Sequence, residues 1–522
     1  MQRDVFIDAL ERHPEKVWDV IIIGGGATGL GCAVDAASRG YSTLLLEQHD
    51  FSKGTSSRST KLVHGGVRYL KQGDVSLVLE ALKERGLLLQ NAPHLVRNQS
   101  FVIPTYDWWG GPFYTVGLKV YDMMAGKFGL GPSKNLNKQE TLSAIPNVEQ
   151  EGLNGGVKYH DGQFDDARLA INLAQTAEQH GASVINYMKV RNLVKDEDGL
   201  VKGVVAEDRE TEVSHTIQGN VVINATGVFV DKVLKMDNPD AKRSIQPSRG
   251  VHLVLDKSFL QGEHAIMIPK TSDGRVLFLV PWHDVVIVGT TDTLQKKPQL
   301  EPTSTEEDIE FILNNAQQYL AKKPTRADVL SVFAGLRPLP APKSKDVKTK
   351  AISRGHQIIV ALSGLVTVIG GKWTTYRKMA EEIIDKASMV GGLDDRECMT
   401  KNLKIHGWQQ HEDFSDPMYF FGSDRQKIEA LWETHPALKE KVHPAFHFTK
   451  AEVVWSTRHE MARTVEDILS RRQRALLFDA RSALEAASIV AEVMAQELGK
   501  DQAWIEKQIR AFTELASGYI LN

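Results

Sequence analysis

The chain has 522 residues, 42% of them hydrophobic, enough for several cores and, at ordinary domain sizes, roughly three domains. Its formal net charge is −3, so no global field draws it toward nucleic acid, and attraction for an anion must be local. The only cysteines, Cys32 and Cys398, exclude a disulfide framework and a cysteine-rich zinc site; they suit a reducing compartment as buried small hydrophobes.

The N-terminus, MQRDVFIDALERHPEK, mixes charges and lacks the apolar core of a secretion signal, while its acids argue against a mitochondrial transit peptide. A cytoplasmic protein is expected. The longest uncharged apolar run, residues 358–371, is broken by Ser363-Gly364 and Gly370-Gly371, too short and interrupted for a bilayer span. Membrane contact is therefore expected to be peripheral, on the inner face of the cytoplasmic membrane.

From Trp18 the sequence WDVIIIGGGATGLGCAVDAASRGYSTLLLEQ reads as strand, glycine turn, helix and strand, a βαβ unit whose continuous apolar strands suit a parallel sheet covered on both faces. VVINATG and HQIIVALSGLVTVIGGKW each read as an apolar strand running into glycine, which makes the nucleotide domain discontinuous. Between them VHLVLD, AIMIPK, RVLFLVPW and VVIVGTTD, separated by turns such as Ser272-Asp273-Gly274, predict an antiparallel sheet over the substrate. Past Gly391-Gly392 the texture is helical. Ser423 with Gln426, and Thr464 with Asp467, have capping-box spacing. Leu484, Ala487, Ala491, Met494 and Leu498 step by three and four before Gly499. Asp196, Asp198 and Gly199 resemble a calcium loop only superficially, because Val194 stands where a first ligand is needed; a hairpin turn fits better, and no metal site is expected.

Gly24, Gly26 and Gly29 follow a strand and open a helix, so the backbone can approach a pyrophosphate at the helix N-terminus. Glu47 ends the next strand, placed to accept hydrogen bonds from a ribose. This element leaves FAD and NAD both open. The stretch TSSRSTKLVHGGVRYL, residues 55–70, holds Arg58, Lys61, His64 and Arg68 without one acid. In GGKWTTYRKMAEEII, Tyr376, Met379, Ile383 and Ala387 mark a helix face, with Thr374 or Thr375 as its cap and its positive end beside Gly370 and Gly371.

Together GGGATG, TSSRSTKLVHGGVRYL, DDARL, NATG, GTTD, AGLRPL and GGKWTTYR, in order over most of the first 380 residues, resemble the FAD-dependent glycerol-3-phosphate dehydrogenases. RHEMARTVEDIL looks like that family's C-terminal cap. The resemblance implies an α/β fold, with a Rossmann-like FAD-binding domain (17–100, 161–240, 351–395), an antiparallel β-sheet substrate domain (101–160, 241–350) and a C-terminal helical domain (400–522). By motif it places His64, Arg68, Tyr69, Arg337, Arg354 and Lys372 on the substrate side of the flavin. The FAD would be lined by Gly24, Gly26, Gly29, Glu47, Ser56, Ser57, Ser59, Thr60, Gly65, Ala225, Thr226, Gly227, Gly370, Gly371, Lys372 and Thr374, with Gly65 and Gly66 letting the backbone pass close to the ring.

A phosphate with close to two negative charges needs several fixed cations and donors when buried beside a flavin. The implied reaction oxidises sn-glycerol 3-phosphate to dihydroxyacetone phosphate. Arg337 stays protonated and stabilises developing charge; His64 is the expected base, with Lys372 second. Taken singly, Arg68 and Arg354 would be ordinary surface charges, His64 a bonded loop histidine, and Lys372 a cap on a buried strand.

Members of the resembled family pass electrons to membrane quinone or to oxygen. The extra insertion of the oxidase branch is not seen at this length, which favours quinone. In residues 105–127, Trp108, Trp109, Phe113, Tyr114 and Tyr121 near lysines suit either an interfacial surface or an internal core helix. A homodimer stays open, and nucleic acid is not expected as a partner. The competing readings are a glycerol-3-phosphate oxidase, an amine or amino-acid oxidase on the same scaffold, and a flavin-binding redox sensor without turnover.

Overall fold

A computed structural model describes residues 1–66, 75–107, 110–342, 355–410 and 412–521, with backbone only for 110–113. Its first sheet is built around Val17–Ile23, which pairs in parallel with Thr43–Leu46 on one side and Ser214–Asn224 on the other. Val366–Gly370 extends it beyond Ser214–Asn224, and Ser183–Ile185 beyond Thr43–Leu46. Ile21, Ile22, Leu44, Leu45, Val222 and Ile223 are all fully buried, as unbroken apolar runs require when both sheet faces are covered. The helix Ala27–Ser38 packs against Tyr376–Gly391 so closely that a Cβ on Gly31 would stand 2.9 Å from the Tyr376 ring. Tyr376, Met379, Ile383 and Ala387 all face this core.

The run HQIIVALSGLVTVIGG is not one strand. It divides into His356–Val360 and Val366–Gly370, an antiparallel pair closed by a turn in which Gly364 has φ +81° and its N–H donates to the Ala361 carbonyl at 2.9 Å. The serine and glycine read as a mere interruption are the turn itself. Asp198-Gly199 also forms a turn, between Met188–Lys195 and Val201–Asp208, and no metal-binding group of acids, histidines and cysteines occurs among the described residues.

The second sheet is mainly antiparallel. Ile245–Asp256 pairs along its length with Val329–Pro340 and also with Val285–Gly289, which continues through Leu277–Trp282 to Ala265–Ile268. Ala265–Ile268 meets Val96–Thr105 in a parallel pairing, and Gly155–Phe164 follows. Its edge is the two-residue strand Leu62–Val63, paired with Gly162 and Gln163. This short strand carries the chain from the first sheet into the second, and His64 follows it directly.

The C-terminal region is helical, and its Val453, Ile468, Leu476, Val490, Met494 and Phe512 share one core with Val254, Trp282 and Phe333 of the second sheet. Thr464 and Asp467 exchange backbone and side-chain bonds as a capping box, and Gly499 ends Ala480–Leu498 at φ +61°. The Ser423 box does not form. That helix is Arg425–Thr434, with Asp424 at the cap position and its carboxylate bonded to His406 and Lys427 instead. The region is tied to the part built on the first sheet by two buried ion pairs, Arg472 to Asp50 at 2.9 Å and Arg168 to Glu460 at 2.7 Å, and by a partly buried one, Lys53 to Glu466 at 2.6 Å. Burial alone would raise Asp50, but Arg472 and Arg471 hold its carboxyl below the usual range.

Candidate active site

A cavity of about 620 Å³ is bounded by the strand ends of the first sheet and by Ile245–Asp256 and Val329–Pro340 of the second. At one end the three motif glycines divide their work. Gly24, at φ +112°, lies where a Cβ would be 2.8 Å from the Ala225 carbonyl oxygen, and a Cβ on Gly29 would fall 1.9 Å from that of Gly24. These two close helix onto strand. Gly26 borders the cavity at the start of Ala27–Ser38, where the nearest atom to an added Cβ is Ser56 Oγ at 3.2 Å. Ser56 Oγ itself accepts from the Ala27 N–H at 3.0 Å.

Glu47 borders the same end, its carboxylate accepting from the N–H groups of Gly25 at 2.7 Å and His49 at 2.8 Å. Burial raises this carboxyl although both N–H groups pull it down. A bare glycine at a helix N-terminus beside a backbone-anchored carboxylate fits the pyrophosphate and ribose of a dinucleotide.

Ala225, Thr226, Gly227, Gly370, Gly371, Lys372 and Thr374 line the middle of the cavity. Gly227, Gly370 and Gly371 have φ of +59°, +79° and +91°, so these turns need glycine. Thr375 stands at the cap position of Tyr376–Gly391 without a side-chain capping bond, and Thr374 Oγ1 accepts from the His64 N–H at 3.3 Å. That contact joins residues 310 apart in sequence and brings His64 beside the GGKW turn.

His64, Arg337 and Lys372 all line this one cavity. The Arg337 guanidinium is fixed by the Thr291 carbonyl at 3.1 Å, Thr290 Oγ1 at 3.4 Å and Asp292 Oδ1 at 3.4 Å, with its side chain 25% exposed. Across the strand pair, a Cβ on Gly250 would stand 2.6 Å from that guanidinium, so the glycine makes its room. Arg68, Tyr69 and Arg354 lie outside the described residues.

Three of the expected cofactor residues do not reach the wall. Gly29 is spent on packing against Gly24. Ser57 is buried with its carbonyl accepting from Lys61 Nζ at 2.7 Å. Gly65 donates its N–H to Tyr121 Oη at 2.8 Å, and a Cβ there would meet that oxygen at 2.4 Å, so what passes close to its backbone is a tyrosine. Ser59 does line the cavity but gives its hydroxyl proton to Asp166 Oδ2 at 2.7 Å.

The charge of the basic stretch is also redistributed. Arg58 pairs with Glu301 at 2.6 Å and Lys61 with Asp166 at 2.7 Å, acids supplied from far along the chain. A sequence count of cations cannot show which are already neutralised. Sequence reasoning missed His252, Lys53 and Trp373, which also line the cavity. Two-residue alternation along the strand could have found His252, because Gly250 faces the cavity two positions before it.

Comparison with known proteins agrees with this geometry. The family described as FAD dependent oxidoreductase matches residues 19–377, and the C-terminal domain of alpha-glycerophosphate oxidase matches residues 366–505. Mitochondrial glycerol-3-phosphate dehydrogenases are similar: that of Schizosaccharomyces pombe is 38% identical over 94% of this chain and 86% of its own length, that of Homo sapiens 39% over 96% and 74%. The glycerol-3-phosphate dehydrogenase of Bacillus halodurans, solved complexed with FAD, superposes with a TM-score of 0.80 at 29% identity, covering 99% of this chain and 98% of that one. The chain belongs to the family of FAD-dependent glycerol-3-phosphate dehydrogenases.

Proposed function

We propose that this protein oxidises sn-glycerol 3-phosphate to dihydroxyacetone phosphate with FAD and delivers the electrons to a quinone. The observation that carries this is the single cavity in which Gly26 and Glu47, suited to a dinucleotide, share walls with His64, Arg337 and Lys372, suited to an anionic alcohol. When bound, the flavin supplies the hydride acceptor. The side chains do the rest. Arg337, clamped by the Thr291 carbonyl, the Thr290 hydroxyl and Asp292, is a cation that need not reorganise as charge grows on the C2 oxygen. His64, its backbone pinned to Thr374, takes the hydroxyl proton, and Lys372 helps hold the phosphate dianion.

The test is anaerobic mixing of FAD-loaded protein with glycerol 3-phosphate or with glycerol. Bleaching of the flavin by the phosphate ester alone, with release of dihydroxyacetone phosphate, is expected; unchanged colour would leave a flavin-binding protein without this activity. Faster reoxidation by a soluble quinone than by oxygen is expected of a dehydrogenase and the reverse of an oxidase.

We further propose that delivery to quinone occurs at a lipid surface, through the helix Gly110–Ala125. Leu118, Tyr121 and Ala125 face inward, while Val116, Val120 and Met123 are 66%, 46% and 81% exposed. Tyr121, one of the aromatics for which an interfacial and a core position were both open, is buried and donates to Asp161 at 2.9 Å, while Trp108 and Trp109 lie outside the described residues. Val75 and Leu79 of the neighbouring helix Val75–Asn91 are exposed too, as are Lys119 and Lys127, a composition suited to anionic headgroups. Among the described residues no helix is long and apolar enough to cross a membrane. Flotation with anionic vesicles that is lost in Val116→Glu/Met123→Glu supports this docking; equal flotation of the variant rejects it.

A further inference from the structure

His252 has no role in the reading above, yet it lines the cavity with only 2% of its surface exposed. Its ring is caged: it stacks on Phe333 with centroids 4.7 Å apart at 14°, and a Cβ on Gly289 would fall 2.3 Å from its Cδ2. This accounts for the first residue of the GTTD stretch, whose Thr290, Thr291 and Asp292 hold Arg337. The caged ring has two nitrogens in unlike surroundings. Nε2 lies 2.8 Å from Thr60 Oγ1, whereas Nδ1 has no hydrogen-bond partner among the described residues.

Burial, with the cations of Arg337 and Lys61 nearby, holds this imidazole well below its ordinary range, so it is neutral and carries one proton. With the proton on Nδ1, a buried N–H would have no acceptor. With it on Nε2, only a lone pair is left unused, the cheaper arrangement, since orphaned buried donors are rarer than under-used acceptors. Nε2–H then donates to Thr60 Oγ1, and the single hydroxyl proton of Thr60 must point elsewhere. Thr60 faces the cavity.

We infer that His252 is a positioning residue that fixes Thr60 as a hydrogen-bond donor into the FAD cavity, toward a polar edge of the bound ring system. Such a donor favours the more electron-rich, reduced cofactor over the oxidised one. The inference rests on the cavity holding FAD and is independent of which alcohol is oxidised.

The test is the two-electron midpoint potential of FAD in the holoenzyme, measured without substrate. Thr60→Val, nearly isosteric, is expected to weaken the preference for reduced FAD about tenfold, a shift of about −30 mV for a two-electron couple. Thr60→Ser is expected to stay near the parent value. His252→Leu should shift the potential in the same direction, and the Thr60→Val/His252→Leu pair no further than either alone. A Thr60→Val potential equal to that of the parent overturns the inference, as do additive shifts in the pair. If His252→Leu fails to retain FAD, Thr60→Val alone decides. A Thr60 shift in a protein indifferent to glycerol 3-phosphate would keep this inference and remove the proposed activity.

Discussion

Lys61 Nζ lies 2.7 Å from both carboxylate oxygens of Asp166, and neither side chain is exposed to solvent. Lys61 belongs to the basic stretch and Asp166 to DDARL, 105 residues later. Burial lowers the ammonium and raises the carboxyl, against which their mutual attraction works. The same carboxylate takes Ser59 N–H at 3.1 Å and its hydroxyl at 2.7 Å, so the pair shapes the turn before His64. Lys61→Met, leaving an uncompensated buried charge, should cost about 3–5 kcal/mol. Lys61→Met/Asp166→Leu should recover a good part of that loss. Urea unfolding of the two variants measures it, and equal losses would show that the pair is not the cause.

Arg337 should matter for turnover far more than for cofactor retention, because Thr290, Thr291 and Asp292 hold its guanidinium in place at the wall of the cavity. Arg337→Met is expected to retain FAD and its visible spectrum while slowing flavin reduction by glycerol 3-phosphate about 10²–10³-fold. Stopped-flow reduction at saturating substrate reads this directly.

The motif glycines should separate experimentally. Gly29→Ala places a methyl 1.9 Å from a backbone oxygen and should yield little folded protein. Gly26→Ala meets only a serine hydroxyl at 3.2 Å, so it should fold while binding FAD more weakly. Circular dichroism and fluorimetric FAD titration distinguish the two outcomes.

Glu452 caps the helix Lys450–His459, accepting from the Thr449 N–H at 2.6 Å, and burial pushes its carboxyl up from 4.5 to about 7. The folded state therefore binds more protons than the unfolded chain between those two values, and stability falls as pH rises through that window. This group should cost roughly 3 kcal/mol on going from about pH 5 to about pH 8. Glu452→Gln, which keeps the capping acceptor, should flatten this part of the pH dependence, as thermal denaturation at the two pH values will show.

How much was legible varied with the range of the interaction. The βαβ unit, the Thr464 cap, the Gly499 stop and the Asp198-Gly199 turn depend on neighbours within a few residues, and all of them form as read. The 356–370 run was misread because two strands and the turn between them are alike in hydrophobicity. For Tyr121 an interfacial and a core position both stayed open, because the partners that bury it, Asp161 and Gly65, are 40 and 56 residues away.

The sequence by itself determined the dinucleotide turn, the order of the motifs and the residue types available to an anionic substrate, because each is set by local backbone geometry and by side-chain chemistry. Only the tertiary structure decided which cations of residues 55–70 are consumed by Glu301 and Asp166, and that His252 stands behind Thr60. Charge compensation and burial are properties of pairs brought together by strand pairing across more than a hundred residues, and no spacing within one segment encodes them.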